Sequence, residues 1–504
     1  MKLYLVGHTL RYETGNLCFL FFPGEKLQVE ADRSQHGDFY AITRVKKGQR
    51  FVHVLVILGK NGKCTKGHAV FLNQALASKR ETEYALGKAF LNAGEALCGI
   101  RPPWGILTGI RPVKIAEHLL QTGMQAEQAT KYMTEKLLVR PEKATLCLRT
   151  AEKEARIRAL SQSNSVSLYI AIPFCPTRCL YCSFISHDVE KMQKLLPDYV
   201  EKLCAELHAI GNLVRTLGLK LETIYVGGGT PTSLSVPMLT RIFDTVRASF
   251  TLEDLREYTV EAGRPDTITP EKLQVIRASG CTRLCINPQT LNASVLKTIG
   301  RSHTPEQFFQ AFSVARQEGF TSINCDLIVG LPGDTAKSFH QTMDQLMSLS
   351  PEGVTVHTLA MKRSSRLVST GLAQYAAHSA EVNQMLEMAY SQLDRAGLSP
   401  YYLYRQRNTV GNLENTGFSK PGHEGLYNVF IMDETHTVLA AGAGGVTKMR
   451  RPQGTHIERV FNFKYPYEYI ARFDQVIARK EKVEEFYHGS VFQDLSGGGQ
   501  PSGD

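Results

Sequence analysis

The stretch Ile172-Pro173-Phe174-Cys175-Pro176-Thr177-Arg178-Cys179-Leu180-Tyr181-Cys182 carries three cysteines with the spacing CxxxCxxC. Three thiolates this close on one loop can hold three corners of a cubane iron–sulfur cluster and leave its fourth iron open. An open iron beside a strong reductant can bind S-adenosylmethionine through its amino and carboxylate groups. A structural zinc site is the alternative, but zinc usually takes four ligands and no second cysteine pair of that kind occurs in the sequence. The spacing therefore favours an iron–sulfur cluster.

The bulk composition is typical of an intracellular enzyme. The chain has 504 residues, which predicts about three domains, and a net charge of +10. Its eleven cysteines lack the dense, even pattern of a secreted disulfide scaffold, so we expect a reducing, cytoplasmic compartment. No apolar run approaches the roughly 20 residues of a transmembrane helix, so we expect no membrane span. The basic residues are dispersed and show no RNA-binding signature, which disfavours a nucleic-acid partner.

Sequence patterns divide the chain into three regions and a tail. Residues 1–160 predict an α+β N-terminal domain, with a few antiparallel strands up to about residue 75 and helices after it. Residues 165–365 alternate short apolar runs with helical stretches. Residues 366–492 predict an α+β C-terminal cap, and the glycine-rich residues 493–504 predict a disordered tail.

The middle region decides the fold class. Its strand-then-helix alternation predicts right-handed crossovers and a parallel sheet, hence an α/β protein. Six units fall short of a closed eight-unit barrel, so we expect an open (β/α)6 partial barrel. The six apolar runs are Leu168–Ile172, Thr223–Val226, Tyr258–Glu261, Arg283–Asn287, Ile323–Val329 and Val354–Leu359.

Chemically distinctive residues lie at or near the end of each predicted strand. In parallel sheets, ligands bind at the carboxyl ends of the strands, so these residues are expected to meet at one edge. In chain order they are the cysteine loop, Gly227-Gly228-Gly229-Thr230-Pro231-Thr232, Glu261, Asn287-Pro288-Gln289-Thr290, Asp326, and the pair His357 and Ala360.

Each residue type suits a polar ligand that also carries an ammonium and a carboxylate. Glycines without a β-carbon let a ligand approach the backbone at residues 227–229, although such a triplet is also common in turns. Glu261 and Asp326 offer acceptors for ribose hydroxyls or an ammonium; the alternative is a solvated or helix-capping acid. Arg301 can pair with a carboxylate, or be a surface cation. Tyr169 and Tyr181 flank the cysteine loop and can cover it, or simply pack in the core.

Taken together, these segments resemble the radical S-adenosylmethionine (SAM) family, and within it the HemZ-type members of the oxygen-independent coproporphyrinogen-III oxidase branch. The resemblance implies a [4Fe–4S] cluster on Cys175, Cys179 and Cys182 in a radical SAM core. The matching segments are the three cysteines, GGGTPT at 227–232, EAGRPD at 261–266, GRSH at 300–303 and DLIVGLP at 326–332. The residues implied to contact or line S-adenosylmethionine are Tyr169, Tyr181, Gly229, Thr230, Glu261, Gln289, Arg301, Asp326 and Ala360.

The activity implied by the resemblance is oxidative decarboxylation in heme biosynthesis. An electron from a reduced flavodoxin or ferredoxin would cleave S-adenosylmethionine, and the resulting radical would take hydrogen from propionates of coproporphyrinogen III. Loss of CO2, together with transfer of one more electron to an acceptor, then gives each vinyl group of protoporphyrinogen IX. Lys420 and Arg405 are candidate partners for the propionates.

Three positions keep two other functions open. Phe184 stands where the oxidases carry a further cysteine, and Ala171 where they carry a histidine. The heme-chaperone branch shares the phenylalanine, but Tyr427 replaces its heme-binding histidine; His436 is a candidate substitute. A heme-binding, chaperone-like protein that keeps the cluster and a radical methyltransferase are therefore the alternatives.

Overall fold

The computed structural model describes residues 1–31, 36–73, 79–184, 186–362, 365–367, 379–451 and 456–496. The chain separates into two compact units. The first contains Met1–Glu152 and the later segment Leu403–Asn415, and the second contains most of the remaining chain. Among the described residues, no helix is long and apolar enough to cross a membrane.

The first unit is built on a five-stranded sheet in the order β2-β1-β3-β4-β5. Alternate residues of β4 face the core, and Val52, Val54, Val56 and Leu58 are all buried. The strands are β1 (Lys2–Val6), β2 (Gln28–Val29), β3 (Phe39–Lys47), β4 (Phe51–Lys60) and β5 (Lys63–Leu72). The helices are α1 (Arg11–Phe21), α2 (Lys79–Cys98), α3 (Val113–Gln121), α4 (Ala126–Glu135) and α5 (Pro141–Arg158).

Two details of this unit differ from the sequence prediction. Strand β1 pairs in parallel with both β2 and β3, so the sheet is mixed and only β3–β5 are antiparallel. Helix α1 was not predicted, because its sequence is short and lacks a clear polar face. Tertiary packing stabilises it instead: the Phe21 ring lies so close to Gly94 of α2 that a β-carbon there would approach it to 2.3 Å.

An eleven-stranded sheet, most of which belongs to the second unit, has the order β14-β15-β13-β12-β11-β10-β9-β6-β16-β17-β18. The six predicted strands are confirmed, and each pairs in parallel with its neighbour. They are β6 (Ser165–Ile172), β9 (Lys220–Gly228), β10 (Glu257–Gly263), β11 (Arg283–Ile286), β12 (Ile323–Val329) and β13 (Gly353–Thr358). The crossover helices are α6 (Leu196–Thr216), α7 (Val236–Ser249), α8 (Pro270–Ala278), α9 (Ala293–Thr298), α10 (Pro305–Gln317) and α11 (Ala336–Ser348).

Described strands of residues 366–492, the predicted cap, extend the barrel sheet at both of its edges. Strand β15 pairs antiparallel with β13 at one edge, and β16 pairs in parallel with β6 at the other. The strands of this region are β14 (Ser399–Arg405), β15 (Glu414–Ser419), β16 (Thr437–Ala441), β17 (Val446–Arg450) and β18 (Ile457–Phe461). The helices are α12 (Ser379–Arg395), α13 (Leu426–Asp433), α14 (Pro466–Ala471), α15 (Phe473–Ala478) and α16 (Glu481–Ser496). Of the predicted tail, residues 497–504 lie outside the described residues.

Helix α13 lies against the amino-terminal side of the barrel strands. The carboxylate of Glu257, the first residue of β10, accepts hydrogen bonds from the backbone N–H groups of Leu426 and Tyr427. These N–H groups belong to the first turn of α13, where a helix has no internal acceptors for them. The Glu257 carboxylate therefore fixes the start of α13 below the interior of the barrel, its lumen. In this position the Tyr427 side chain points into the lumen, where it stacks on Tyr225.

Candidate active site

The cysteine loop leaves the carboxyl end of β6 and closes on itself through two short strands. These are β7 (Phe174–Cys175) and β8 (His187–Asp188), which pair in parallel. The N–H of Leu180 donates to the carbonyl of Ile299 at 3.0 Å, which ties the middle of the loop to the end of α9. Cys179 is buried, whereas Cys175 and Cys182 keep partial solvent access. The loop thus holds three thiols at the carboxyl edge of the sheet.

The glycine loop after β9 packs directly under the cysteine loop. Gly229 donates its N–H to Ile172 O at 2.8 Å, and Thr230 donates to Phe174 O at 2.7 Å. A β-carbon on Gly229 would lie 2.5 Å from Phe174 O, so only glycine fits. The Thr230 hydroxyl also donates to Cys175 Sγ at 3.5 Å. The glycines therefore position the cysteine loop as well as leaving room for a ligand.

Arg301 joins several of the predicted site residues. Its guanidinium donates to Asn287 O at 2.6 Å, to the Tyr181 hydroxyl at 3.0 Å and, at a long 4.0 Å, to Cys179 Sγ. The side chain is buried and aimed at the cysteine loop. Arg301 is accordingly not a surface cation.

Glu261 faces the barrel lumen within a group of aromatic side chains. The Tyr225 hydroxyl donates to Glu261 Oε1. The Tyr225 ring stacks on Tyr427 with 4.6 Å between centroids, and Tyr169 stacks on Tyr225 at 6.2 Å. Burial raises the pKa of Glu261 to about 7, although the hydrogen bond from Tyr225 opposes that rise. The carboxyl group is therefore poised between its two protonation states near neutral pH.

The pKa of the Asp326 carboxyl group is shifted in the opposite direction to that of Glu261. Burial would raise its pKa, but two neighbouring polar groups outweigh burial and the pKa is lowered. The neighbouring groups are His357, whose Nε2 lies 3.7 Å from Asp326 Oδ2, and Asn324, whose amide donates to Oδ1 at 2.7 Å. Asp326 is consequently an ionised acceptor beside Glu261.

Gln289 and Ala360 complete the predicted set. Gln289 has a φ of +67°, a backbone conformation that costs a non-glycine residue free energy. Its Oε1 atom is buried and has no hydrogen-bond partner among the described residues. Ala360 follows β13, next to Leu359, whose N–H donates to Val329 O at 3.0 Å. An orphaned acceptor on a strained residue is the kind of group that a bound ligand satisfies.

Comparison with known proteins places this site in a family. The radical SAM superfamily model matches residues 169–346. A Bacillus subtilis protein described as an oxygen-independent coproporphyrinogen-III oxidase-like protein HemZ is 36% identical over 477 residues, which are 93% of this chain and 94% of that one. The chain belongs to the HemZ-like family of radical SAM proteins.

Other relatives of this HemZ-like chain carry different descriptions. The heme chaperone HemW of Bacillus subtilis is 30% identical over 63% of this chain and 81% of its own length. Among solved structures, coproporphyrinogen III oxidase (HemN) of Escherichia coli is 23% identical, with a TM-score of 0.49 over 64% of this chain and 72% of that one.

A radical SAM protein uses a [4Fe–4S] cluster and S-adenosylmethionine, and the residues of the HemZ-like chain fit both. Among the described residues, no three His, Cys, Asp or Glu side chains are placed to hold a single metal ion. All eleven cysteines are free, so the three loop thiols are available. A cubane spreads its three thiolates over three irons. The orphaned Gln289 acceptor and the glycine-lined backbone fit a polar ligand next to it.

Two sequence-predicted substrate contacts are wrong. Lys420 follows β15, whose end lies beside the start of β13, at the edge opposite to the cysteine loop. Its ammonium pairs there with Glu352 at 3.3 Å. Arg405 belongs to the first unit, where its buried guanidinium donates to the carbonyls of Leu107 and Asn412 at 2.5 and 2.9 Å. Neither residue has a free cation to offer a propionate.

His436 also differs from its predicted candidate role as a heme ligand. It is buried near the amino end of β16, and both ring nitrogens are hydrogen-bonded, Nδ1 with Ser167 at 2.9 Å and Nε2 with Ser161 at 3.0 Å. Burial lowers its pKa to about 4. An axial heme ligand needs a free, accessible nitrogen, which His436 does not present.

Four residues to which the sequence analysis assigned no part in binding contribute to this edge of the sheet or to the lumen of the barrel. Tyr225 aligns with Tyr169 in the parallel register of β6 and β9, and that alternation was the available signal. Arg264 lay inside the quoted EAGRPD segment, but its direction depends on a local irregularity of β10. The four residues are Tyr225, Arg264, Lys362 and Tyr427.

Proposed function

We propose that this chain is an oxygen-independent coproporphyrinogen-III oxidase. It would convert two propionate side chains of coproporphyrinogen III into vinyl groups and give protoporphyrinogen IX. The observation that carries the proposal is the similarity to a HemZ protein over 93% of this chain, including the N-terminal region, together with the three-thiol loop at the carboxyl edge of the barrel. The HemW chaperone covers only 63% of the chain.

The residues assigned to the cofactors follow from their positions. Cys175, Cys179 and Cys182 would hold the cluster through three irons. When bound, the reduced cluster supplies the electron that splits S-adenosylmethionine and so provides a radical able to abstract hydrogen. The other contacts to S-adenosylmethionine would come from Tyr169, Tyr181, Gly229, Thr230, Glu261, Gln289, Arg301, Asp326 and Ala360.

Charge complementarity assigns the strongest contacts. Arg301 would pair with the carboxylate of S-adenosylmethionine, since its guanidinium lies beside Cys179. Asp326 and Glu261 would accept hydrogen bonds from hydroxyl or ammonium groups. Tyr225 holds Glu261 in place, and Tyr427 holds Tyr225 by stacking. These side chains bind and orient the cofactor and shield it from water.

Lys362 is the better candidate for a propionate partner. It lies two residues after Ala360, at the same edge as the cluster loop, and interacts electrostatically with Cys182. Its side chain is half-buried and burial lowers its pKa, while no carboxylate lies within ion-pair distance of it among the described residues. A carboxylate-bearing substrate would supply that missing partner.

The remaining partners follow from the reaction. Radical SAM enzymes need a reductant, and we assign this role to reduced flavodoxin or ferredoxin in the cytoplasm. Coproporphyrinogen III brings four carboxylates, which suits a chain with a net charge of +10.

A heme chaperone is the second candidate. The HemW relatives favour it, as does Phe184, which is exposed beside the cluster loop where the oxidases carry a cysteine. Against it, Tyr427 is packed in the lumen and His436 is hydrogen-bonded at both nitrogens.

The deciding experiment is an anaerobic assay of the reconstituted protein with dithionite, S-adenosylmethionine and coproporphyrinogen III. We expect 5′-deoxyadenosine and products lighter by the loss of CO2, detected by mass spectrometry. Lys362→Gln should lower decarboxylation more than cofactor cleavage, and Lys420→Gln, a lysine at the opposite edge, should change neither. Stoichiometric heme binding without decarboxylation would favour the chaperone, and methylated product with S-adenosylhomocysteine would favour a methyltransferase.

A further inference from the structure

Cys179 is flanked by two buried arginines. Arg301 Nη1 lies 4.0 Å from its sulfur, and Arg264 Nη1 lies 3.9 Å away from the same atom. Only 3% of Arg264 is exposed to solvent, and 8% of Arg301. The sulfur is thus placed between two permanent positive charges in a region that water does not screen.

Arg264 is held rigidly in that position. Its Nε and Nη2 donate to the two carboxylate oxygens of Asp266 at 3.0 and 2.9 Å, a bidentate pair. Its Nη1 donates to the Thr177 hydroxyl at 3.0 Å within the cysteine loop. With three of its N–H donors placed by these contacts, the guanidinium cannot turn away from Cys179.

A backbone irregularity directs Arg264 to the sulfur. The pairing of β10 with β11 shifts its register between Glu261 and Gly263, as in a β-bulge. Gly263 adopts a φ of +62°, which glycine accepts without strain. Without the extra residue, the side chain after Gly263 would leave the strand on the other face. The bulge therefore lets two side chains only three positions apart reach different places: Glu261 faces the lumen, and Arg264 reaches the cysteine loop.

Fold stability alone does not explain a buried charged pair at this point. Taking Arg264 and Asp266 out of water costs free energy, and such pairs are often no more stabilising than apolar residues of the same volume. His303 accepts a hydrogen bond from Arg301 and has a pKa lowered to about 3, chiefly by burial, so it adds no charge.

We propose that Arg264 sets the reduction potential of the cluster. One-electron reduction adds a negative charge to the iron–sulfur core, and a fixed cation beside a ligating sulfur stabilises that charge. Arg264 acts through Cys179 and does not contact the reacting atoms, so it is a positioning residue. Asp266 fixes Arg264 and partly offsets its charge. The inference rests on the proposed assignment of Cys175, Cys179 and Cys182 as cluster ligands and is independent of the substrate.

The test is a redox titration of the anaerobically reconstituted protein, followed by the electron paramagnetic resonance of the reduced cluster. Iron content is measured first. Arg264→Gln should make the potential more negative: at a fixed applied potential, the ratio of reduced to oxidised cluster should fall about tenfold, which is ~59 mV for one electron. Asp266→Asn should shift the potential in the opposite direction, because it removes the compensating negative charge.

Arg256→Gln is the matched control. Arg256 also pairs with a buried carboxylate, Glu222 at 3.0 Å, but next to the amino end of β10, far from the cysteine loop. It should leave the potential unchanged.

Equal potentials in wild type, Arg264→Gln and Asp266→Asn, all with full iron content, would overturn the proposal. Shifts of the same sign in both variants would overturn it as well. If only one of these two variants loses its iron, the reduction potential of the other variant tests the proposal. If both lose it, Arg264 only supports the loop and the proposal fails. A wild-type protein that binds no iron through the three cysteines would instead refute the cluster assignment, a result visible before any potential is measured.

Discussion

The hydrogen bond from Tyr225 to Glu261 should control how the affinity for S-adenosylmethionine depends on pH. Burial raises the pKa of Glu261 to about 7, so the carboxylate forms only as the pH rises through neutrality. The Tyr225 hydroxyl stabilises the ionised form, because it donates to Oε1. Tyr225→Phe keeps the ring that stacks on Tyr427 and removes only this donor. The substitution therefore isolates one hydrogen bond.

The size of the effect follows from the strength of that bond. A hydrogen bond to a charged group contributes about 1.5–3 kcal/mol, and one pKa unit corresponds to about 1.4 kcal/mol. Losing it should raise the pKa of Glu261 by about 1–2 units. At pH 7.5, the ionised fraction would fall from about three quarters to about a quarter or less. If the cofactor needs the carboxylate as an acceptor, its affinity at that pH should fall about 3- to 25-fold.

Isothermal titration calorimetry of the reconstituted protein from pH 6 to 9 measures this directly. The wild-type affinity should rise with pH, with a midpoint near 7, and level off above about pH 8; the midpoint in Tyr225→Phe should lie about 1–2 units higher. Glu261→Gln should bind weakly at every pH. Tyr390→Phe removes a hydroxyl that donates to Thr416 at 3.1 Å and should titrate like wild type. A wild-type affinity that does not change over this range, or a common midpoint in both proteins, would refute the reasoning.

Three further predictions test the site and its surroundings. Alanine at Cys175, Cys179 or Cys182 should abolish bound iron and its charge-transfer absorption, whereas alanine at the buried Cys204, Cys281 or Cys325 should preserve both; iron retained by the triple variant would contradict this. Arg301→Ala and Asp326→Ala should each weaken S-adenosylmethionine binding roughly tenfold or more in calorimetry, with iron content unchanged. The pKa of His436 is lowered to about 4, so its neutral form stabilises the fold above pH 6.5, and about 3 kcal/mol should be lost as the pH falls from 6.5 to 4. Urea unfolding at pH 7 and pH 4.5 measures that loss, and His436→Gln should show less of it.

Sequence alone was enough to predict the barrel and the neighbourhood of the candidate site. The six parallel strands repeat an apolar run followed by a helix, and strand ends in such a sheet must share an edge. The sequence therefore predicted that Glu261, Asp326 and Gln289 lie close together at the carboxyl edge of the sheet. Their roles toward the cofactor remain predictions.

The wrong predictions concern residues whose role depends on tertiary structure. The sequence does not show at which edge of the sheet such a residue lies, or which distant group pairs with its charge. Lys420 looked suitable as a free cation, but β15 runs antiparallel to β13 and carries it to the opposite edge. The guanidinium of Arg405 donates to the carbonyl of Leu107, and the ring of His436 is hydrogen-bonded to Ser167. Both partners are more than 250 residues away in sequence. Local pattern carries no information on such pairings.

The two ends of the six-stranded barrel sheet are completed late in synthesis. β15 covers the free side of β13 and β16 covers that of β6, yet both strands lie after residue 410. While the ribosome has released only the first 365 residues, both sides expose unpaired backbone groups that invite association with other chains. The nascent polypeptide must therefore remain protected until its last quarter has emerged, and a product truncated there should aggregate rather than accumulate as a shorter enzyme.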